Sequence, residues 1–168
     1  MTRPQNKRVT ELLLRHGLAP IVGCAPRVLI LGSFPSEKSL DTGQYYANVR
    51  NQFWRLLGEL HGFDAALPYQ HRIDAVTTHG VAVWDVVHSC RRTGSLDAKI
   101  DRKTLVLNDF DAFLAGNPSI ERVFANGATA HDLCARTTLT LPTTRLPSSS
   151  SALTMSFADK LAAWRAVT

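Results

Sequence analysis

The chain has 168 residues, 45% hydrophobic and 20% charged, values of one ordinary globular domain that exclude collagen, coiled coil and wholesale disorder. Nineteen Lys and Arg against fourteen Asp and Glu leave a net charge of +5, which suits a polyanionic partner without identifying one. No apolar run reaches membrane-spanning length, and no apolar stretch follows the charged N-terminus, so a cytoplasmic protein is expected. Cys24, Cys90 and Cys134 stand far apart, and the six histidines form no HxxxH or HxH pair. Neither a metal site nor a disulfide framework is predicted.

Taken in chain order, Thr10 to His16 reads as a short helix closed by Gly17, part of a predicted N-terminal helix over 6–17. Arg27 to Leu31 is a continuous apolar run stopping at Gly32, as a buried parallel strand does. The stretch from Gly32 to Arg50 has little periodicity and reads as a long loop. Asn51 to His61 places Phe53, Trp54, Leu56, Leu57 and Leu60 at helical spacing, and Tyr69 to Thr78 is a second helix. Val81 to Trp84 is a short strand ending at Asp85. From Val86 to Thr104 the chain reads as a basic loop carrying Arg91, Arg92, Lys99, Arg102 and Lys103. A helix follows from Asn108 through Leu114, then a strand from Arg122 to Ala125 and a helix to about Arg136. Leu139 to Leu146 is the last predicted strand. Ser156 and Asp159 have capping-box spacing at the start of a helix running to Val167.

Strands alternating with helices predict a single α/β domain over 1–168, with its core in 18–168 and a mostly parallel sheet. In such sheets ligands bind at the carboxyl ends of the strands. Three segments fall there: Gly32 to Arg50, Val86 to Thr104, and Pro147 to Thr154. A glycine directly after a strand allows close backbone approach to a ligand. It begins neither a Walker A motif nor a dinucleotide fingerprint. Tyr45 and Tyr46 suit either stacking on a planar ring or covering the core edge. Asn51 suits either site chemistry or the N-cap of the helix that follows. Asp85 suits either ligand binding or a loop carboxylate.

Gly32-Ser-Phe-Pro-Ser36, then Tyr-Tyr-Ala-x-x-Arg-Asn-x-Phe-Trp ending at Trp54, and Leu146-Pro-Ser-Ser-Ser150 together resemble the uracil-DNA glycosylase superfamily, and within it the hypoxanthine-DNA glycosylase branch. The resemblance runs from about Leu18 to Trp164 and takes in Val83-Trp-Asp-Val86, Ser95-Leu-Asp97, Asn108-Asp-Phe110 and Phe124-Ala-Asn-Gly127. It implies a three-layer α/β/α fold with a four-stranded sheet, and hydrolysis of an N-glycosidic bond without metal or cofactor. Many members carry Asp or Asn two residues after the first glycine; this chain has Phe34. The hypoxanthine branch implies Asn51 as the water-positioning residue, with Asn48 as a second amide. Tyr46 falls where relatives stack a ring on the flipped base. Pro is common in the family at 49 and 151, where this chain has Val49 and Ser151.

The expected partner is therefore DNA containing a deaminated base: hypoxanthine first, uracil or xanthine next. Gly32, Ser33, Phe34, Tyr46, Asp85 and Ser89 are the expected base-binding residues. Asp85 can accept the N1–H that hypoxanthine has and adenine lacks. Ser148, Ser149 and Ser150 suit phosphate contact. Ala152 or Leu153 suits a wedge into the base stack, and Arg91 and Arg92 suit contact with the flanking backbone. The expectation is a monofunctional, monomeric enzyme of base excision repair, nucleoid-associated if bacterial. Two alternatives stand beside it: a DNA-binding protein of the same fold with weak or no catalysis, and a hydrolase of free nucleosides.

Overall fold

A computed structural model describes residues 13–168. The elements are β1 (Leu14–His16), β2 (Val28–Gly32), α1 (Glu37–Thr42), α2 (Phe53–His61), α3 (Tyr69–Thr78), β3 (Val81–Asp85), β4 (Val87–Arg92), β5 (Ile100–Leu107), α4 (Phe110–Gly116), β6 (Arg122–Asn126), α5 (Ala128–Cys134), β7 (Thr143–Leu146) and α6 (Phe157–Trp164). Four strands form a sheet in the order β3-β2-β6-β7, with every pairing parallel. β2 is buried along its whole length, which is why its sequence is an unbroken apolar run. Its side chains alternate between faces. Val28 and Ile30 pack with Phe53, Leu56, Leu57, Val76 and Trp164 of α2, α3 and α6. Leu29 and Leu31 pack with Phe110, Ala130 and Leu133 of α4 and α5. This is the expected three-layer α/β/α arrangement.

The starts of α1, α4 and α6 are set by short polar side chains. Ser156 Oγ accepts the Asp159 N–H at 3.1 Å and donates to the Asp159 carboxylate at 2.6 Å, as the capping spacing predicts. Asp109, rather than Asn108, caps α4 by accepting the Ala112 N–H.

Three segments depart from the sequence expectations. Leu14–His16 is not a helix end but an edge strand, antiparallel to β4; the part of the predicted helix up to residue 12 lies outside the described residues. The supposed basic loop is a strand-turn-strand unit in which β4 and β5 pair antiparallel. Register shifts on both sides of Ser89 break the strict alternation by which a half-exposed strand is recognised. The stretch after Gly32 contains α1, capped by Ser36 and closed at Gly43, with Ser39 as its only buried residue. A helix so polar shows no apolar period. The last strand begins at Thr143 rather than Leu139. Cys90 and Cys134 are buried and Cys24 is exposed. Among the described residues no helix is long and apolar enough to cross a membrane.

Candidate active site

The carboxyl edge of the parallel sheet brings together Gly32 from β2, Asp85 from β3 and Asn126 from β6, with Pro147 to Ser150 following β7. Gly32 is required by close approach: a Cβ there would sit 2.3 Å from Asp85 Oδ1 and 3.0 Å from the Tyr46 hydroxyl. Asp85 is 3% exposed, and its Oδ2 has no hydrogen-bond partner among the described residues. Burial pushes its pKa up to about 7, the nearby Asp97 carboxylate adds to the rise, and the Arg92 guanidinium opposes it. A buried acceptor without a donor is costly. Asp85 stands at a strand end, where ligands enter this class of sheet.

Tyr46 has a φ of 53°, a left-handed conformation that strains any residue with a Cβ and that clusters at functional sites. Its ring stacks on Phe53, with centroids 3.7 Å apart and planes 14° apart. Burial, followed by the Asp85 charge, pushes its pKa up, so the hydroxyl stays neutral. That hydroxyl accepts from Asn126 Nδ2 at 3.1 Å, leaving its own proton to donate.

Asn126 is the hub of a clasp joining three loops. Its Nδ2 also donates to Ser149 Oγ at 2.8 Å, and its Oδ1 accepts the Ser149 N–H at 2.8 Å. Ser149 Oγ in turn donates to Asn51 Oδ1 at 2.9 Å, and the Phe53 N–H donates to the same oxygen at 2.9 Å. The Gln52 N–H donates to the Ser149 carbonyl at 2.9 Å. Asn51 is not the N-cap of α2, which is Gln52; its side chain closes an Asx turn onto the first helical residue. With both lone pairs of its carbonyl occupied, it presents the two hydrogens of Nδ2 and not an acceptor. An amide held in this way can donate to an acceptor atom, such as a water oxygen, and has no free lone pair with which to accept a hydrogen bond from water.

The remaining expected residues divide clearly. Ser149 is fully buried within the clasp, while Ser148 and Ser150 are half-buried beside it. Ala152 and Leu153 are exposed on the following turn. Asn48 is exposed, and its Oδ1 accepts the Arg50 N–H at 3.0 Å, so it stands outside the clasp. Ser33 Oγ donates to Asp97 at 2.6 Å. Ser89 is buried in β4 between β1 and β5. Two expectations are corrected. Phe34 is a core side chain, 6% exposed and packed in the cluster beneath α4 and α5. Arg92 is no surface contact: it is 7% exposed, donates to the Pro35 carbonyl and lies over the Phe34 ring. Strand alternation turns Arg91 outward and Arg92 inward.

Asn126 and Asp97 were not expected as site residues. Asn126 could have been found from its position, since it ends a strand as Asp85 does. Asp97 lies in the Ser95-Leu-Asp97 piece but reaches the site only because β4 and β5 fold it back. Among the described residues no group of three or more His, Cys, Asp or Glu side chains is placed to hold a metal ion.

An α/β/α sheet with a glycine, a buried carboxyl, a strained tyrosine and a serine turn at its carboxyl edge defines a class, and sequence comparison supplies it. The profile described as the Uracil DNA glycosylase superfamily matches residues 20–168, and the chain belongs to that family. Two relatives are more specific, both called hypoxanthine DNA glycosylase. The one from Methanosarcina barkeri (strain Fusaro / DSM 804) is 35% identical over 114 residues, 67% of this chain and 71% of its own. The one from Methanosarcina acetivorans is 31% identical over 119 residues, 70% of this chain and 74% of its own. A solution NMR structure of a candidate uracil DNA glycosylase, also from Methanosarcina acetivorans, superposes with a TM-score of 0.78 at 30% identity. It covers 92% of this chain and 96% of that one.

Proposed function

We propose that the protein is a monofunctional DNA glycosylase that hydrolyses the N-glycosidic bond of a deaminated base, hypoxanthine first and uracil or xanthine next, leaving an abasic site. The observation that carries this is the orphaned Oδ2 of buried Asp85. Hypoxanthine, xanthine and uracil each carry a ring N–H next to a carbonyl, where adenine and cytosine carry a lone pair. An ionised Asp85 accepts from the first set and repels the second, a discrimination of about 1–3 kcal/mol or more.

The base reaches that carboxyl only by leaving the duplex, which costs a few kcal/mol and least where the pair is already poor. Tyr46, backed by Phe53, offers its other ring face to the flipped base. Cleavage builds positive charge on the sugar and negative charge on the departing base, and fixed donors aimed at the base stabilise that change. Asn51 Nδ2 holds the attacking water by its oxygen, an act of positioning rather than of base catalysis. Ser148 and Ser150 meet the backbone phosphates, and Ala152 or Leu153 fills the space the base vacates.

A lyase step needs an amine at the sugar. Lys160, though only 1% exposed, donates to the Ser150 carbonyl behind the serine turn and is not presented to the sugar. This supports hydrolysis alone. The enzyme is expected to act as a monomer in the cytoplasm on the organism's DNA, with no metal.

The test is base release from duplex oligonucleotides carrying one hypoxanthine or one uracil, comparing wild type, Asn51→Ala and Asp85→Asn. Hypoxanthine release is expected, falling by about 10²–10³ in Asn51→Ala. If neither base is released while the duplex still binds, the inactive DNA-binding alternative replaces the enzyme.

A further inference from the structure

Lys160 is one of the largest fully buried side chains, 1% exposed, and no ion pair among the described residues includes it. A buried ammonium without a counter-charge is unfavourable, and an apolar side chain of similar size would fill the same space more cheaply. Its one hydrogen bond among the described residues is to the backbone oxygen of Ser150, at 2.9 Å.

That bond belongs to a pattern. The Pro147 carbonyl accepts from Trp164 Nε1 at 2.9 Å, the Ser149 carbonyl from the Gln52 N–H at 2.9 Å, and the Ser150 carbonyl from Lys160. Three carbonyls of one turn are therefore drawn into the protein. No peptide among the described residues is cis, and in a trans peptide the C=O and the following N–H point in opposite directions. The N–H groups of Ser148, Ser150 and Ser151 consequently face outward. The Ser150 N–H is shared with Ser148 Oγ at 3.2 Å; those of Ser148 and Ser151 have no protein acceptor among the described residues. Outward N–H groups on a tight turn form an anion-binding concavity. The turn is held close to β6 at Gly127, whose φ is 100° and where a Cβ would stand 3.1 Å from Ser148 Cβ.

We propose that Lys160 is a positioning residue for phosphate binding: it turns the Ser150–Ser151 peptide so that its N–H faces the DNA backbone, and it sets a fixed positive charge behind the bound phosphate. The missing counter-charge of the free protein is then a phosphodiester of the substrate. This rests on the glycosylase reading, since it requires DNA at the serine turn.

The test measures binding of a duplex with an abasic-site analogue across a salt series, alongside single-turnover base release at saturating DNA. Lys160→Gln keeps a donor for the Ser150 carbonyl and removes the charge. It is expected to bind about tenfold more weakly, with a log–log salt slope shallower by about 0.9, and to keep its saturated rate within about twofold. Lys160→Met, which leaves the Ser150 carbonyl only the Leu153 N–H at 3.3 Å, is expected to bind more weakly still at an unchanged or raised Tm, and Lys160→Arg to restore the slope. If Lys160→Gln binds with the full wild-type slope, the proposal is overturned. So is it if Lys160→Met loses Tm but neither affinity nor slope. A wild type that binds no DNA overturns the glycosylase reading and this proposal with it, an outcome distinct from either.

Discussion

The Asn126 clasp and the Asp85 carboxyl lie at the ends of two strands of one sheet and are opposite in construction. In the clasp both Nδ2 hydrogens of Asn126 and its Oδ1 are paired, Ser149 is paired through N–H, hydroxyl and carbonyl, and the Asn51 carbonyl is paired twice. At Asp85 one carboxyl oxygen is buried with nothing to accept from. A satisfied network rigidifies and specifies geometry; a buried acceptor without a protein donor is costly until something pairs with it. Under the proposed function the difference matches two tasks, holding the reacting groups still and recognising the base.

Breaking the clasp at its hub should have the largest effect. Asn126→Ala removes three hydrogen bonds of about 1 kcal/mol each and leaves buried Ser149 groups unpaired. We expect about 3 kcal/mol of lost stability by denaturant unfolding and hypoxanthine release slower by about 10³, since Tyr46, Ser149 and Asn51 are released together. If the rate falls no more than tenfold, the clasp is scaffolding and the positioning argument fails.

The carboxyl should behave in the opposite way. Relative to an ordinary 3.8, a pKa of about 7 means that the folded state holds this proton more tightly than the unfolded chain. Stability then falls as pH rises from about 4 to about 7 and carries the full penalty above, about 4 kcal/mol as an upper figure. Asp85→Asn has no such penalty, so its Tm should exceed the wild type's at pH 8 by more than at pH 4. An equal difference at both would show a carboxyl that is not desolvated. Specificity follows the same titration. The ionised form accepts from hypoxanthine N1–H, whereas the protonated form can donate to adenine N1. Preference for hypoxanthine over adenine should therefore weaken below pH 7, and in Asp85→Asn it should fall about 10–100-fold at every pH, because an amide can do both.

Half of this comparison was legible in the sequence. Gly32, Asn51 and Asp85 stand at predicted strand and helix ends, and strand ends could be read because β2, β3 and β6 are short apolar runs; Tyr46 came from the motif in the loop between them. The parallel sheet followed from the same runs. The clasp was not legible, because its partners are 80 residues apart for Asn126 and Tyr46, and 98 for Asn51 and Ser149, with no local pattern to tie them. The β4–β5 unit was hidden by its charges and by the register shifts about Ser89. Arg92 was misplaced for a related reason: which way a side chain turns on a bulged strand depends on a register that only the pairing fixes.

A finer cut through the clasp decides how Asn51 works. Ser149→Ala deletes the hydroxyl that donates to Asn51 Oδ1 and leaves the Phe53 N–H in place. If Asn51 acted by accepting a proton from water, freeing that lone pair should leave the rate unchanged or raise it. With Nδ2 as the working group, the same substitution loosens the amide and should slow single-turnover release about tenfold, with little change in affinity for an abasic-site duplex.

The smallest expected effect lies at Arg91, and its contrast with Arg92 makes it informative. The two are neighbours on β4, one exposed and one 7% exposed. Arg91→Ala should weaken duplex binding about threefold and reduce the salt slope by up to about 0.9 if it meets one phosphate, leaving the saturated rate and its pH profile unchanged. Arg92 opposes the rise in the Asp85 pKa and is remote from solvent. Arg92→Met should therefore move the pH midpoint of hypoxanthine preference upward without altering the salt slope. Should Arg91→Ala move the midpoint, or Arg92→Met the slope, the inward and outward assignments of the two arginines would be reversed, and the path of DNA across β4 with them.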